Sequence, residues 1–136
     1  MKDLNILIPT YNDEKSISKL LSEINIEGEN IENFKINIII IDDGSIQNLQ
    51  NNQFLGLNNI SIFYLKLNKN YGHQMALYVG LLYCNQNNKE NLIIMDGDGE
   101  DKPSDIKKIL NESYNHPDKT IVARRLKRRD SILFKI

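Results

Sequence analysis

The sequence predicts an α/β fold in which a mostly parallel sheet carries helices on both faces. Three observations predict it. Short β-branched runs alternate with segments of helical periodicity along the chain. One run, Ile36 to Ile41, has the composition of a strand covered on both sides. Each of the principal polar clusters follows directly on one of these runs, where parallel sheets bind their ligands.

Leu4 to Pro9 is a short apolar run ended by Pro9-Thr10-Tyr11-Asn12. Asp13 to Ile24 then places Ile17, Leu20, Leu21 and Ile24 at helical spacing. The second strand, Ile36 to Ile41, stops at Asp42-Asp43-Gly44-Ser45. Ile60 to Leu67 reads as a third strand, followed by Asn68-Lys69-Asn70-Tyr71-Gly72 and a helix from His73 to about Tyr83. Leu92 to Met95 is the fourth strand. Pro103 opens the next helix, with Ile106, Ile109 and Leu110 on its buried side, and Thr120 to Ala123 is expected as a fifth strand. Strands alternating with helices imply right-handed crossovers. One cleft at the carboxyl ends, shared by the four polar clusters, is the simplest arrangement.

Composition narrows the function. At 136 residues and 40% hydrophobic content the chain suits one compact domain, and a net charge of −1 argues against a nucleic-acid partner. A single cysteine, Cys84, excludes an internal disulfide and a thiolate zinc cluster, and its helical surroundings point to core packing. Met1-Lys2-Asp3 leads straight into a strand without a signal pattern, and no stretch is long enough to span a bilayer. A cytoplasmic location is expected, peripheral at the inner face of the membrane.

Asp96-Gly97-Asp98-Gly99-Glu100-Asp101 follows the apolar run Leu92-Ile93-Ile94-Met95. Carboxylates this close repel one another, and a bound hard cation is the usual relief. An isolated Asp-x-Asp is more often a solvated turn, but its position at a strand end favours function. Asp96 and Asp98 suit a cation that bridges a diphosphate, and either Asp42 or Asp43 suits a base N–H or ribose hydroxyl. Asp42 to Ser45 reads equally well as a tight turn with a helix cap.

Four motifs, in order and spacing, carry a family resemblance: Ile8 to Asn12, Asp42 to Ser45, Asn70 to Gln74, and Met95 to Pro103. Together they resemble family 2 glycosyltransferases of the GT-A fold, most of all the branch of dolichol-phosphate mannose synthase and the bacterial polyprenyl-phosphate sugar transferases. The resemblance implies an inverting, metal-dependent transfer from a UDP- or GDP-sugar to a polyprenyl or dolichyl phosphate or a glycan, with Mg²⁺ or Mn²⁺ as cofactor. It assigns Asp96, Asp98 and Glu100 to the metal, with Asp98 and Glu100 at the reacting centre. Pro9, Thr10, Tyr11, Asn12, Asp42, Asp43, Gly72, Asp96 and Gly97 fall to the donor, and Asp43 is the base reader of the aspartate pair. Arg124, in Val122-Ala123-Arg124-Arg125, takes a donor or lipid phosphate by position.

Glu100 stands where the family commonly has Gln, which adds negative charge beside the cation. Lys127, Arg128 and Arg129 read as a solvated basic face or as attraction to anionic lipid. His73, at a helix start, reads as a contact to a phosphate or the sugar or equally as a capping or surface residue, and His116, before Pro117, reads as exposed. Family members continue beyond the equivalent of Ile136, so residues 1–136 are expected to be one family 2 domain incomplete at its C-terminus. A partner chain or oligomer is then expected to replace the missing half. A polyprenyl phosphate oxygen is already anionic at neutral pH and needs no general base, whereas a glycan hydroxyl does.

The alternative from another class is a non-catalytic nucleotide-sugar-binding subunit. Ile94 to Gly99 also resembles the Asp-x-Asp-Gly of haloacid dehalogenase phosphatases, but Glu100 stands where that family has Thr. A calcium EF-hand fails because Asp101 occupies the obligatory glycine position, and a Rossmann dinucleotide site fails for want of the glycine fingerprint.

Overall fold

The computed structural model describes residues 1–124. The chain divides into two compact units, Met1–Ser104 and one beginning at Asp105. The first contains β1 (Lys2–Thr10), α1 (Glu14–Gly28), β2 (Phe34–Asp42), β3 (Ile60–Lys66), α2 (His73–Gln86) and β4 (Leu92–Ile94). Its four strands form one sheet in the order β3-β2-β1-β4, and every pairing is parallel.

Alternation along the central strands sends opposite sets of side chains to the two faces. Leu7 of β1 and Ile39 and Ile41 of β2 pack with Ala76 and Cys84 of α2. On the other face Ile8 of β1 lies near Ile17 of α1, since both border Gly97, and Ile36 of β2 approaches Gly28 at the end of α1. With both faces covered, β1 and β2 are buried along most of their length. This is the expected α/β arrangement, and the sheet is wholly parallel among the described residues.

α1 starts at Asp13, whose carboxylate accepts the Ser16 N–H at 3.2 Å and so caps the helix. It buries Ile17, Leu20, Leu21 and Ile24, the positions its periodicity predicts. α2 buries only Ala76, Gly80 and Cys84, a stripe of small residues that lets its backbone come close to the sheet. A Cβ at Gly80 would stand 2.5 Å from Leu7 Cδ1 and 3.0 Å from Ile41 Cγ1. Cys84 is a buried free thiol, and burial pushes its pKa up, so it stays a protonated packing group.

The strand order sets the place for a ligand. β1, β2 and β3 run outward in one direction, and α2 then returns the chain to β4 on the far side of β1. The order therefore reverses between β1 and β4, and the crevice at their carboxyl ends is the switch point of the sheet.

A 3₁₀ turn at Pro103–Asp105 precedes α3 (Ile106–Asn115), which buries Ile106 and Leu110, while Ile109 is half-buried. The helix predicted to open at Pro103 thus begins one turn later. The predicted fifth strand at Thr120 to Ala123 is not formed: these residues have no regular secondary structure and join no ladder. Three β-branched residues followed by alanine are too short a signal to make a strand without a pairing partner. Arg125, Lys127, Arg128, Arg129 and the run Ile132-Leu133-Phe134 lie outside the described residues.

Candidate active site

A cavity of about 440 Å³ opens at the switch point. Pro9, Thr10 and Tyr11 come from the end of β1, with Asp13 just beyond, and Asp43 follows β2. Asn70 precedes α2, His73 and Ala76 lie on its first turn, and Asp96, Gly97 and Asp98 follow β4. Four loops that are distant in sequence therefore meet around one space.

Hydrogen bonds fasten the first three loops together. The Asp43 N–H donates to the Thr10 carbonyl at 2.9 Å. The Asn12 N–H donates to Ser45 Oγ at 2.8 Å, and the Ile46 N–H returns to Asn12 Oδ1 at 2.9 Å. Asn12 adopts φ 49°, a left-handed conformation that asparagine tolerates. Gly44 is needed twice over. Its φ is +76°, and a Cβ there would stand 2.3 Å from the Lys69 carbonyl carbon.

Asp43 is the hub of the arrangement. Only 2% exposed, it accepts the Tyr71 N–H at 2.8 Å on one oxygen, and the Gly72 N–H at 2.8 Å and Asn70 Nδ2 at 3.1 Å on the other. Asp42 is equally buried but turns the other way: it accepts the Ser45 N–H at 2.8 Å and the Tyr64 hydroxyl. Burial first, and then the Asp42 carboxylate, push the Tyr64 phenol well above its ordinary pKa. Asp42 is thus a structural anchor outside the cavity lining, whereas Asp43 lines it.

The acidic loop is folded on itself. The Asp96 N–H donates to Asp101 Oδ2 at 2.9 Å, and the Glu100 N–H to Asp98 Oδ1 at 2.9 Å. Gly97, between the two cavity carboxylates, is buried, and a Cβ there would stand 2.8 Å from Ile17 Cδ1 and 3.1 Å from the Pro9 carbonyl oxygen. The glycine lets the loop press against β1 and α1, so that Asp96 and Asp98 are presented to the cavity on either side of it. Across from them, His73 Nε2 lies 3.7 Å from Asp96 Oδ1.

Of the sequence-predicted residues, Pro9, Thr10, Tyr11, Asp43, Asp96, Gly97 and Asp98 meet in the cavity. Asn12, Asp42 and Gly72 stand behind it: Asn12 and Asp42 hold the β2 loop and Gly72 is held by Asp43. Glu100 follows the turn at Gly99, φ 82°, is exposed, and is not among the lining residues. Arg124 is exposed in the second unit. Sequence reasoning passed over Tyr64, named Asn70 and Asp101 within their motifs without giving either a role, and weighed His73 as a phosphate or sugar contact against a cap or surface residue. Tyr64 and Asn70 carried a readable signal, since both sit near the carboxyl end of β3.

Among the described residues no group of three or more His, Cys, Asp or Glu side chains is placed to hold a metal by itself. Asp96 and Asp98 nevertheless fit a cation completed by substrate. Mg²⁺ is commonly bound by one or two carboxylates together with phosphate oxygens. Among the described residues the lining carries four carboxylates, from Asp13, Asp43, Asp96 and Asp98, and no Lys or Arg.

The sequence profile of Glycosyl transferase family 2 matches residues 5–135. The chain belongs to this family. The family 2 chain is 27% identical over 130 residues to the undecaprenyl-phosphate 4-deoxy-4-formamido-L-arabinose transferase of Proteus mirabilis, covering 94% of itself and 38% of that protein. Its fold matches TarS residues 1–349 of S. aureus, solved with UDP-GlcNAc, with a TM-score of 0.62 and 21% identity over 94% of this chain and 37% of that one. It also matches the mannosyltransferase PcManGT of Pyrobaculum calidifontis, solved with GDP-Man and Mn²⁺, with a TM-score of 0.51 and 18% identity over 70% and 27% of the two chains. The fold is that of the GT-A glycosyltransferases. The family 2 chain spans less than half the length of the curated relatives it matches.

Proposed function

We propose that the chain forms the donor-binding part of a metal-dependent, inverting glycosyltransferase that moves a sugar from a nucleoside diphosphate to a polyprenyl phosphate. One observation carries this reading: the switch-point cavity gathers the motif residues of four strand ends around a lining rich in carboxylates, to which the described residues contribute no Lys or Arg. A nucleoside diphosphate brought into that lining needs a cation, and Asp96 and Asp98 are the carboxylates that would hold it. The cation would supply Lewis-acid stabilisation of the departing diphosphate.

The remaining roles fall to the chain's own groups. A carboxylate offers about four acceptor positions, and Asp43 uses three on the Asn70 to Gly72 segment, which leaves one for a base N–H or a ribose hydroxyl. Pro9, Thr10 and Tyr11 wall the nucleoside end, with the Tyr11 ring half-exposed as a stacking surface. Attack by the acceptor oxygen on the anomeric carbon, opposite the diphosphate, forms the new glycosidic bond and sends the breaking bond's electrons to the leaving phosphate oxygen. A polyprenyl phosphate oxygen attacks as an anion, so no proton has to be removed. The similarity to an undecaprenyl-phosphate transferase supports that acceptor. The role of Arg124 on a phosphate, and of Glu100 near the cation, rests on the motif pattern. Attachment at a membrane surface follows from the lipid acceptor; no helix of the described residues is long and apolar enough to cross a bilayer.

Calorimetric titration with UDP, GDP and their sugar conjugates tests the reading. Binding of one nucleotide in Mn²⁺, lost in EDTA, is the expected result. Asp98→Ala should weaken that binding at least tenfold, while its thermal unfolding stays close to that of the parent because Asp98 is exposed. Equal binding in Mn²⁺ and EDTA would remove the metal from the account. Tight donor binding with no sugar transfer to polyprenyl phosphate would identify a binding subunit instead.

A further inference from the structure

We propose that His73 is a donor-site residue whose imidazole contacts the terminal phosphate of the nucleoside diphosphate; this rests on the donor reading above. Among the described residues, His73 is the only side chain of the cavity lining able to carry positive charge, since they place no Lys or Arg there. Its Nε2 faces Asp96 Oδ1 across 3.7 Å, with the two side chains 55% and 49% exposed. That separation is too long for a direct hydrogen bond, so the ring is not committed to the carboxylate. Half-exposed at the cavity wall, it is free to turn a ring N–H to an incoming oxygen.

The donor reading gives the nucleoside to Pro9 to Tyr11 and Asp43 and the cation and diphosphate to Asp96. His73 stands beside Asp96, and that neighbour is the reason the terminal phosphate is meant. A neutral imidazole suffices for the contact because one ring nitrogen always carries a hydrogen. The residue therefore adds a hydrogen bond that strengthens as charge collects on the leaving diphosphate.

The test compares UDP with UMP and GDP with GMP on the intact chain in Mn²⁺, using His73→Ala and His73→Gln. The contact predicts that His73→Ala weakens the diphosphate about ten- to a hundredfold, the range of a hydrogen bond to a charged group. The monophosphate should change less than twofold, and His73→Gln, which keeps an N–H donor, should recover most of the loss. Thermal unfolding of each variant shows that it is folded. Equal losses for mono- and diphosphate, or no loss for either, would overturn the proposal while leaving the donor site standing. Failure of the parent chain to bind any of the four nucleotides would overturn the donor reading and the proposal together.

Discussion

Asp42 and Asp43 are adjacent, identical and both buried, yet they do different work because each meets different donors. Asp43 holds the segment Asn70 to Gly72 against the cavity, and Asp42 is locked by Ser45 and Tyr64. A resemblance could rank the pair, but their partners lie up to 29 residues away and are invisible to local pattern. The Tyr64 bond makes a pH-dependent contribution. Because burial and the Asp42 carboxylate raise the folded phenol above its unfolded value of about 10, the contribution is complete below that pH and is lost progressively as pH rises from there toward the folded value. Tyr64→Phe should cost roughly 1–3 kcal/mol at pH 7 by urea unfolding. The gap between parent and variant should close above pH 10, and a gap constant to pH 11 would show that the bond is not its source.

At the scale of elements, α2 depends on the absence of side chains more than on their presence. Gly80 lets the helix lie against Leu7 and Ile41, and Gly80→Val should lower stability by about 2 kcal/mol in urea unfolding through overpacking. A neutral result would mean that α2 sits farther from the sheet. Each strand and helix of the first unit was legible, because apolar runs and periodic stripes report burial directly: Ile17, Leu20, Leu21 and Ile24 are the clearest case. Strand ends were less legible, since Lys2 and Asp3 join β1 only by pairing with Phe34 and Lys35. The 3₁₀ turn at Asn51–Phe54 left no periodic signal in a polar stretch, and Thr120 to Ala123 had strand composition without a partner. In the site, motif residues with exposed functional groups were readable, whereas the clip between Asn12 and Ser45 depends on contacts that only the fold creates.

At the scale of the molecule, the cavity draws on the ends of all four strands and on the start of α2, so a bound nucleotide touches every part of the sheet's carboxyl edge. Occupancy should therefore stabilise the fold as a whole. At a concentration a hundredfold above its Kd, the preferred nucleotide in Mn²⁺ should add about 2.7 kcal/mol and raise the melting temperature by several degrees. The same nucleotide in EDTA should give little shift. A shift of equal size without the cation would place the binding energy elsewhere than on Asp96 and Asp98. Membership of family 2 defines the chemistry to look for, and the carboxylate-rich lining is the reason a cation is proposed for it.

The strand order also imposes a schedule. β1 is the first strand made and lies between β2 and β4, with Asn5 paired to Leu92 at the opposite end of the first unit. During synthesis β1 and β2 can meet early, but the crevice has only one wall until the chain has emerged past Met95. Closing so long a loop is slow compared with local helix formation. The cavity is thus the last feature of the sheet to come into being, and a nucleotide that binds there would come too late to act as a template for the steps that precede it.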